Sequence, residues 1–307
     1  MKPLTILTVS YGHRTLLQEN IRLAKLLHTN FNDLVDWHVA ENSPIDHPDR
    51  YDDNEDGFIV SQGDGEVDKG ISHHHATALN GLLRTVRLNR HVLILDPDFF
   101  LLLPDWATVI PQYMKSQNLG FFGVPWHPRH NENYRYFPAV HCFAFDSHVI
   151  DPASLDFRPK LEILSWKRSR IAKLLKMIPA IGYRLTRKSW DTGTRIWLRH
   201  CKHSAMHEVV TPIYQPNLTY LTTKNRLIEY LLPDRMCMLP RQPNYYSTET
   251  FKDRGWLDKP IPSEWESFIW LNRPFGLHVR RSYAYHLRSN ENEFKVLPEI
   301  LLSLIRA

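Results

Sequence analysis

Short apolar runs alternate with longer amphipathic stretches through the first half of the chain. Residues 4–9 form an apolar, β-branched run. Tyr11-Gly12-His13 breaks it, and a helical pattern through Leu16, Ile21, Leu23 and Leu26 follows. Residues 35–40 predict a second strand, stopped by Glu41-Asn42-Ser43-Pro44. A polar, Asp-rich stretch leads to a third short strand at 58–60. Residues 71–88 predict a helix with Ala76, Leu79, Leu82 and Leu83 on one face. A fourth run, 91–95, reads as a buried strand, and a helix near 106–114 and a strand at 120–124 come after it. Strands alternating with helices in this way predict an α/β protein. The expected architecture is a Rossmann-like three-layer sandwich with a mainly parallel central sheet.

Beyond residue 151 the pattern changes. A basic segment occupies 160–188. A helix then begins near Trp190-Asp191-Thr192-Gly193 and runs through Ile196, Trp197 and Leu198. Residues 209–285 are rich in Pro, Trp and Tyr and show no clear period, and 296–305 predict a short apolar helix. There is no internal repeat and no low-complexity tract. The expected organisation is one domain in two halves, 1–150 and 151–307.

Composition alters this picture in two places. The chain has 307 residues, 43% hydrophobic and 23% charged, which is ordinary for a globular protein. Its net charge of +5 is concentrated. Residues 160–188 carry nine Lys or Arg against one acid, Glu162, a net of +8, so the remainder sums to −3. Ile171, Leu174, Leu175 and Ile178 fall at helical spacing within that segment, a pattern that suits an interfacial helix on an anionic membrane surface. A helix docked on the protein's own core, with its basic face in water, fits equally well. Cys142, Cys201 and Cys237 are odd in number and widely spaced, without a metal or redox pattern, and predict reduced thiols in a cytoplasmic protein. No apolar run is long enough to span a bilayer, and the first residues read as a strand, not a signal peptide.

The chemistry concentrates where the fourth strand ends, in Leu95-Asp96-Pro97-Asp98. Ligands of open α/β sheets bind outside the carboxyl ends of the strands. Two acids there need a positive partner, and a hard divalent cation, Mn²⁺ or Mg²⁺, takes oxygen ligands and binds substrate phosphates as well. Asp-Pro-Asp also makes a good turn by itself.

Several further stretches, taken in order, carry a resemblance. Leu7-Thr8-Val9-Ser10-Tyr11 closes the first strand and Val39-Ala40-Glu41-Asn42-Ser43-Pro44 the second. Gly70 and His75-Ala76-Thr77-Ala78-Leu79-Asn80 precede the Asp-Pro-Asp motif, and Trp190-Asp191-Thr192-Gly193 follows it. In this order and spacing the chain resembles the GT-A-fold glycosyltransferases, similar to the bacterial family 2 enzymes. The resemblance implies transfer of a sugar from a nucleotide-diphosphate donor to a glycan or lipid-linked acceptor, with inversion, in cell-surface polysaccharide biosynthesis. It implies a nucleotide-sugar site at Val9, Ser10, Tyr11, Glu41, Asn42, Ser43, Gly70, His74, Asn80 and Asp96. A metal would be held by Asp96, Asp98 and a late histidine, His278, with His286 as its competitor. Asp191 would be the catalytic base, and 151–307 an elaborated acceptor region. Much of the family carries a Glu-Asp pair where this chain has Trp190-Asp191, and Asp where it has Glu41.

From the residues themselves, Asp98 reads as the direct ligand, and Asp96 as a water-mediated ligand, a ribose contact or a turn cap. Asp191 reads as a general base or a helix N-cap. His73, His74 and His75 are consecutive on a helix and cannot converge on one ion. Trp126-His127-Pro128-Arg129-His130 reads as an acceptor platform or as core. Two other functions compete. A sugar nucleotidyltransferase would want a glycine-rich phosphate loop after the first strand, where this chain has the single glycine of Tyr11-Gly12-His13-Arg14. A basic nucleic-acid-binding protein is opposed by the net −3 of the remainder and the lack of a nucleic-acid motif.

Overall fold

The computed structural model describes residues 2–52, 59–62, 71–127, 137–159, 192–200, 206–213, 265–279 and 296–306. Its central sheet takes β1 (Leu4–Ser10), β2 (Val35–Glu41), β3 (Ile59–Gln62), β4 (His91–Leu95), β6 (Phe121–Gly123), β7 (Cys142–Asp146) and β8 (His207–Val209), in the order β3-β2-β1-β4-β7-β6-β8. β1 runs parallel to β2 and β4, β2 to β3, and β6 to β8. β7 alone is antiparallel, to β4 and to β6. All seven residues of β1 and all five of β4 are buried, the reason both read as unbroken apolar runs.

Side chains alternate across the sheet and make the sandwich. Leu4 and Ile6 join Val35, Trp37, Leu93 and Leu95 on one face, covered by Leu16, Leu17 and Ile21 of α1 (Arg14–Leu26) and by Trp106, Ile110 and Met114 of α4 (Trp106–Ser116). Leu7 and Val9 join Val92, Ile94, Phe143 and Phe145 on the other, covered by Ala76, Leu79 and Leu82 of α3 (Ile71–Thr85) and by Ile196 and Trp197 of α5 (Thr194–His200). Leu26 is 56% exposed, because the fifth residue after Ile21 falls off the apolar stripe. A single-turn helix, α2 (Phe31–Leu34), leads into β2.

A second, fully antiparallel sheet is absent from the sequence reading. It takes β5 (Phe99–Leu101), β9 (Thr211–Pro212), β10 (Glu266–Trp270) and β11 (Arg273–His278) in the order β5-β11-β10-β9. β5 follows the Asp-Pro-Asp turn at once, so that turn passes the chain from one sheet to the other. α6 (Leu297–Arg306) buries Leu297, Ile300, Leu301 and Leu304 on the α1 side. No described helix is long and apolar enough to cross a membrane. The basic segment, Cys201 and Cys237 lie outside the described residues.

One histidine holds α1 and α4 together. Asp105 precedes α4 in a left-handed conformation and makes no side-chain cap. His28, 5% exposed, supplies the cap instead: its Nε2 accepts from the Ala107 N–H at 3.1 Å, and its Nδ1 donates to the Ala24 carbonyl at 2.8 Å. Only the neutral ring can do both. Burial pushes the His28 pKa below its ordinary 6.5, despite the opposing carbonyl bond and the nearby Asp105 charge. The bond's contribution to stability is therefore complete above 6.5 and declines as pH falls from there toward the lower folded pKa, since the unfolded chain takes up the proton first. His28→Phe keeps the ring against Trp106 but orphans a buried N–H, and should cost about 1–3 kcal/mol in urea unfolding at pH 7.5. The deficit should narrow at pH 5.5.

Candidate active site

The Asp-Pro-Asp segment is a turn fastened on three sides. The Phe99 N–H donates to the Asp96 carbonyl at 3.0 Å, closing a β-turn with Pro97 at its second position. Asn20 of α1, 3% exposed, donates through Nδ2 to the Phe99 carbonyl at 2.8 Å and the Pro97 carbonyl at 3.3 Å. The Asp96 N–H donates to the His141 carbonyl at 3.1 Å. Beneath the turn, Trp37 Nε1 donates to Thr8 Oγ1, which donates to the Leu95 carbonyl. The turn and the site are thus one object, and its rigidity aims the carboxylates.

The small sheet brings a histidine and a third acid to this turn. His278 lies opposite Phe99 in the β5–β11 register and opposite Glu266 in the β10–β11 register. The Val279 N–H donates to the Asp98 carbonyl at 2.8 Å. His278 Nε2 stands 3.5 Å from Asp98 Oδ1, and Nδ1 stands 2.9 Å from Glu266 Oε2. Glu266 is fully buried, His278 is 5% exposed, and the Asp98 side chain keeps 22% of its surface. The His141 ring stacks on His278, with centroids 4.5 Å apart and planes 12° from parallel. Burial pushes the Asp98 carboxyl up, but the His278 imidazolium beside it more than offsets this and holds it below the usual carboxylate range. Burial likewise works against a charged His278, and Asp98 and then Glu266 overcome it and raise its pKa.

Asp96 faces another way. Its Oδ1 is buried 3.3 Å from His75 Nε2, and no hydrogen bond reaches it. The nearby Cys142 thiol is pushed up by burial and then by the Asp96 charge, so it stays protonated. The three expected metal ligands therefore separate into Asp98 with His278, and Asp96 with His75. No three His, Cys, Asp or Glu side chains converge tightly enough to hold an ion among the described residues. The pair does fit one. Adjacent ligands at about 2.1 Å from an octahedral ion stand about 3 Å apart, close to the separation of Asp98 Oδ1 and His278 Nε2. The Asp96 oxygen that nothing satisfies suits a water of such an ion.

The ends of β1 and β2 form the neighbouring wall. Tyr11 is 39% exposed, with the His74 ring edge-on at 5.6 Å and the His47 ring at 5.9 Å. Gly12 has φ +62, and a Cβ there would stand 2.7 Å from the His47 ring, so the turn requires glycine. Its N–H donates to Ser43 Oγ at 2.7 Å. Glu41 is fully buried, and its two oxygens accept from the Ser43 and Tyr51 N–H groups at 2.8 and 3.1 Å. Its acid is fixed on the 42–51 loop. Ser10 Oγ and Asn42 Oδ1 are buried without hydrogen-bond partners at the same strand ends.

Other expected residues are placed differently. The Val9 side chain packs in the core against α3. Asn80 ties α3 to the next layer: Nδ2 donates to Asp156 Oδ1 at 3.1 Å and Oδ1 accepts from the Phe157 N–H at 3.1 Å. It lines a separate cleft of about 770 Å³ between α3 and residues 151–158. The consecutive histidines diverge, His73 toward that cleft, His74 onto Tyr11 and His75 to Asp96. Trp126 meets the edge of His141, and His127, 5% exposed, bonds the Ile213 carbonyl, so this part of the platform segment is packed inward. Gly70, Arg129, His130, Asp191 and His286 lie outside the described residues. α5 begins at Thr194, directly after Gly193 (φ +81). Thr192 Oγ1 donates to the Ser72 carbonyl at 3.1 Å and the Gly193 N–H to the Phe157 carbonyl at 2.8 Å. Sequence reasoning missed Glu266, Asn20, His47 and His141. Glu266 did leave a signal, a lone acid in the apolar stretch Trp265 to Trp270.

No family model and no curated protein sequence matches the chain. The solved structures similar to it include glycosyltransferases. The galactosyltransferase LgtC, in complex with donor and acceptor sugar analogues, is 11% identical over 85% of this chain and 98% of its own, with a TM-score of 0.37. Glucosyl-3-phosphoglycerate synthase from Mycobacterium tuberculosis, in complex with Mn²⁺, UDP and glucosyl-3-phosphoglycerate, is 12% identical over 78% of this chain and 82% of its own, with a TM-score of 0.36. The mannosyltransferase PcManGT from Pyrobaculum calidifontis, in complex with GDP-Man and Mn²⁺, is 16% identical over 50% of this chain, with a TM-score of 0.36. That match spans 47% of the mannosyltransferase, about half its length.

Proposed function

We propose that this protein is a metal-dependent glycosyltransferase that moves a sugar from a nucleotide-diphosphate donor to a glycan or lipid-linked acceptor. The observation that carries the reading is the convergence of Asp98 and His278 outside the carboxyl end of β4, where ligands of such sheets bind. Asp98 and His278 Nε2 would hold Mn²⁺ or Mg²⁺, and Asp96 would act through water or contact the donor ribose. A bound divalent ion supplies Lewis-acid stabilisation of the diphosphate leaving group. Tyr11 offers its exposed ring to the nucleoside, and Ser10 Oγ and Asn42 Oδ1 offer polar atoms that the protein leaves unsatisfied. Glu41 and Ser43 act one step back, by fixing the loop that carries Asn42. Asp191 takes the proton of the acceptor hydroxyl as it attacks the anomeric carbon from the face opposite the leaving group. Residues 1–150 bind the donor and 151–307 shape the acceptor side, in cell-surface polysaccharide biosynthesis. A thermal-shift screen of nucleoside diphosphates with and without Mn²⁺ tests the reading. One base series should stabilise the protein in a Mn²⁺-dependent way, by about 2.7 kcal/mol at a hundredfold excess over Kd. No metal-dependent shift with any nucleotide would overturn it.

The basic segment 160–188 extends the proposal to location, at the inner face of an anionic membrane. Each Lys or Arg near such a surface is worth about 1 kcal/mol, so several suffice for reversible binding. The Ile171-Leu174-Leu175-Ile178 face should add a salt-resistant part. Wild-type protein should sediment with anionic liposomes, and Lys167→Glu/Arg170→Glu/Lys173→Glu should stay in the supernatant. Equal pelleting of the two would make the segment structural.

A further inference from the structure

We infer that Glu266 is a positioning residue that sets the tautomer and orientation of His278, so that Nε2 is presented toward Asp98 as a metal-ligating nitrogen. The inference rests on the metal site proposed above and deepens it.

Glu266 is fully buried in a strand whose other inward residues are Phe268, Ile269 and Trp270. A carboxylate in such surroundings is costly to desolvate, and a β-strand gains nothing from an acid there. It meets the His278 imidazole. Glu266 and His278 are directly opposed across β10 and β11, and Oε2 accepts the Nδ1–H at 2.9 Å. A ring held by that bond keeps its proton on Nδ1, so that a metal displacing the Nε2 proton would find that lone pair turned outward. Asp98 Oδ1, 3.5 Å away, is on that side. The ring plane is fixed independently by the parallel stack on His141 and by Phe99, whose centroid is 5.9 Å from that of His278. Ligating histidines generally donate their second N–H to a carboxylate or carbonyl, which fixes the ring and raises its basicity. Here the acid comes from a different strand than either ligand. The turn supplies Asp98, β11 supplies His278 and β10 supplies the acid that aims it.

An ordinary buried ion pair, holding β10 to β11 and nothing more, predicts different numbers. Titration of the full-length protein with MnCl₂, followed by calorimetry and by the electron paramagnetic resonance of free Mn²⁺, separates the two. Glu266→Gln keeps an oxygen acceptor for Nδ1–H and removes the charge. Its Mn²⁺ affinity should fall by about 10- to 100-fold. In the His278→Ala background the same substitution should change the affinity by less than about twofold, because there is no ring left to aim. A wild type that binds Mn²⁺ with Glu266→Gln matching it overturns the inference and leaves the metal site standing. An equal loss in both backgrounds also overturns it, since Glu266 then acts without His278. A wild type that binds no Mn²⁺ overturns the metal site itself. A measurement on wild-type protein does not depend on the variants folding. With ¹⁵N-labelled histidine, Mn²⁺ should broaden the His278 Nε2 signal while Nδ1 keeps its proton. Stronger broadening at Nδ1 would sink the assignment.

Discussion

Asp98→Asn should bind a nucleoside diphosphate no better with Mn²⁺ than without it. The loss expected for the metal-dependent part of the affinity is at least about 100-fold, or 2.7 kcal/mol. Two features make Asp98 the decisive carboxylate. Its carboxyl is held below the usual carboxylate range before any metal binds, because the His278 imidazolium outweighs the opposing effect of burial. Its side chain also keeps 22% of its surface where His278 Nε2 converges with it. Asparagine preserves size and the turn, whose closing bonds run through backbone atoms of Asp96, Pro97, Asp98 and Phe99. The variant should therefore unfold cooperatively and retain any metal-independent affinity for the nucleoside. Asp96→Asn is the internal comparison. It has His75 at 3.3 Å and no hydrogen bond at Oδ1, and if it works through water its loss should be the smaller of the two. The measurement is calorimetric titration of the nucleotide with and without Mn²⁺. Unchanged metal dependence in Asp98→Asn would remove the proposed centre.

The readable parts of the fold are those whose signal is local. β1 and β4 are buried on both faces and show it as unbroken apolar runs, and α3 shows its Ala76, Leu79 and Leu82 stripe at the helical period. The sequence reading failed where the structure depends on pairing at a distance. β5 is three residues long and takes its identity from β11, well over a hundred residues later. β7, antiparallel in a mainly parallel sheet, has no period of its own to reveal its direction. The site follows the same rule. Asp96 and Asp98 stand out because two acids follow a hydrophobic strand. Glu266 becomes meaningful only once β10 is set against β11. Glu41 and Asn80 illustrate the converse. Both have polar types and positions that suit a ligand, yet their side-chain atoms are engaged with the protein's own backbone and Asp156. A motif residue can serve a site by fixing its walls, and spacing alone does not separate that role from contact.

Asp191→Asn should lower turnover by two or more orders of magnitude while leaving Mn²⁺-dependent donor binding and stability near those of the wild type, the usual effect of removing a positioned general base. The sequence left two roles for Asp191, base or helix cap. α5 starts at Thr194 and is preceded by Gly193, whose left-handed φ of +81 would strain any other residue. The polypeptide just after Asp191 is also fastened to the two layers that flank the site. Thr192 bonds the Ser72 carbonyl at the start of α3, one turn from the histidines that reach Tyr11 and Asp96, and Gly193 bonds the Phe157 carbonyl. Asparagine matches the size of Asp191 and keeps its polarity, so a purely structural role would pass through the substitution with little change. A base would not, because the amide cannot accept the acceptor's proton. Single-turnover kinetics with a saturating Mn²⁺–donor complex separates the two, since it reads the chemical step apart from binding and release. If the single-turnover rate of Asp191→Asn stays within a few fold of wild type, proton removal belongs to another group or to water.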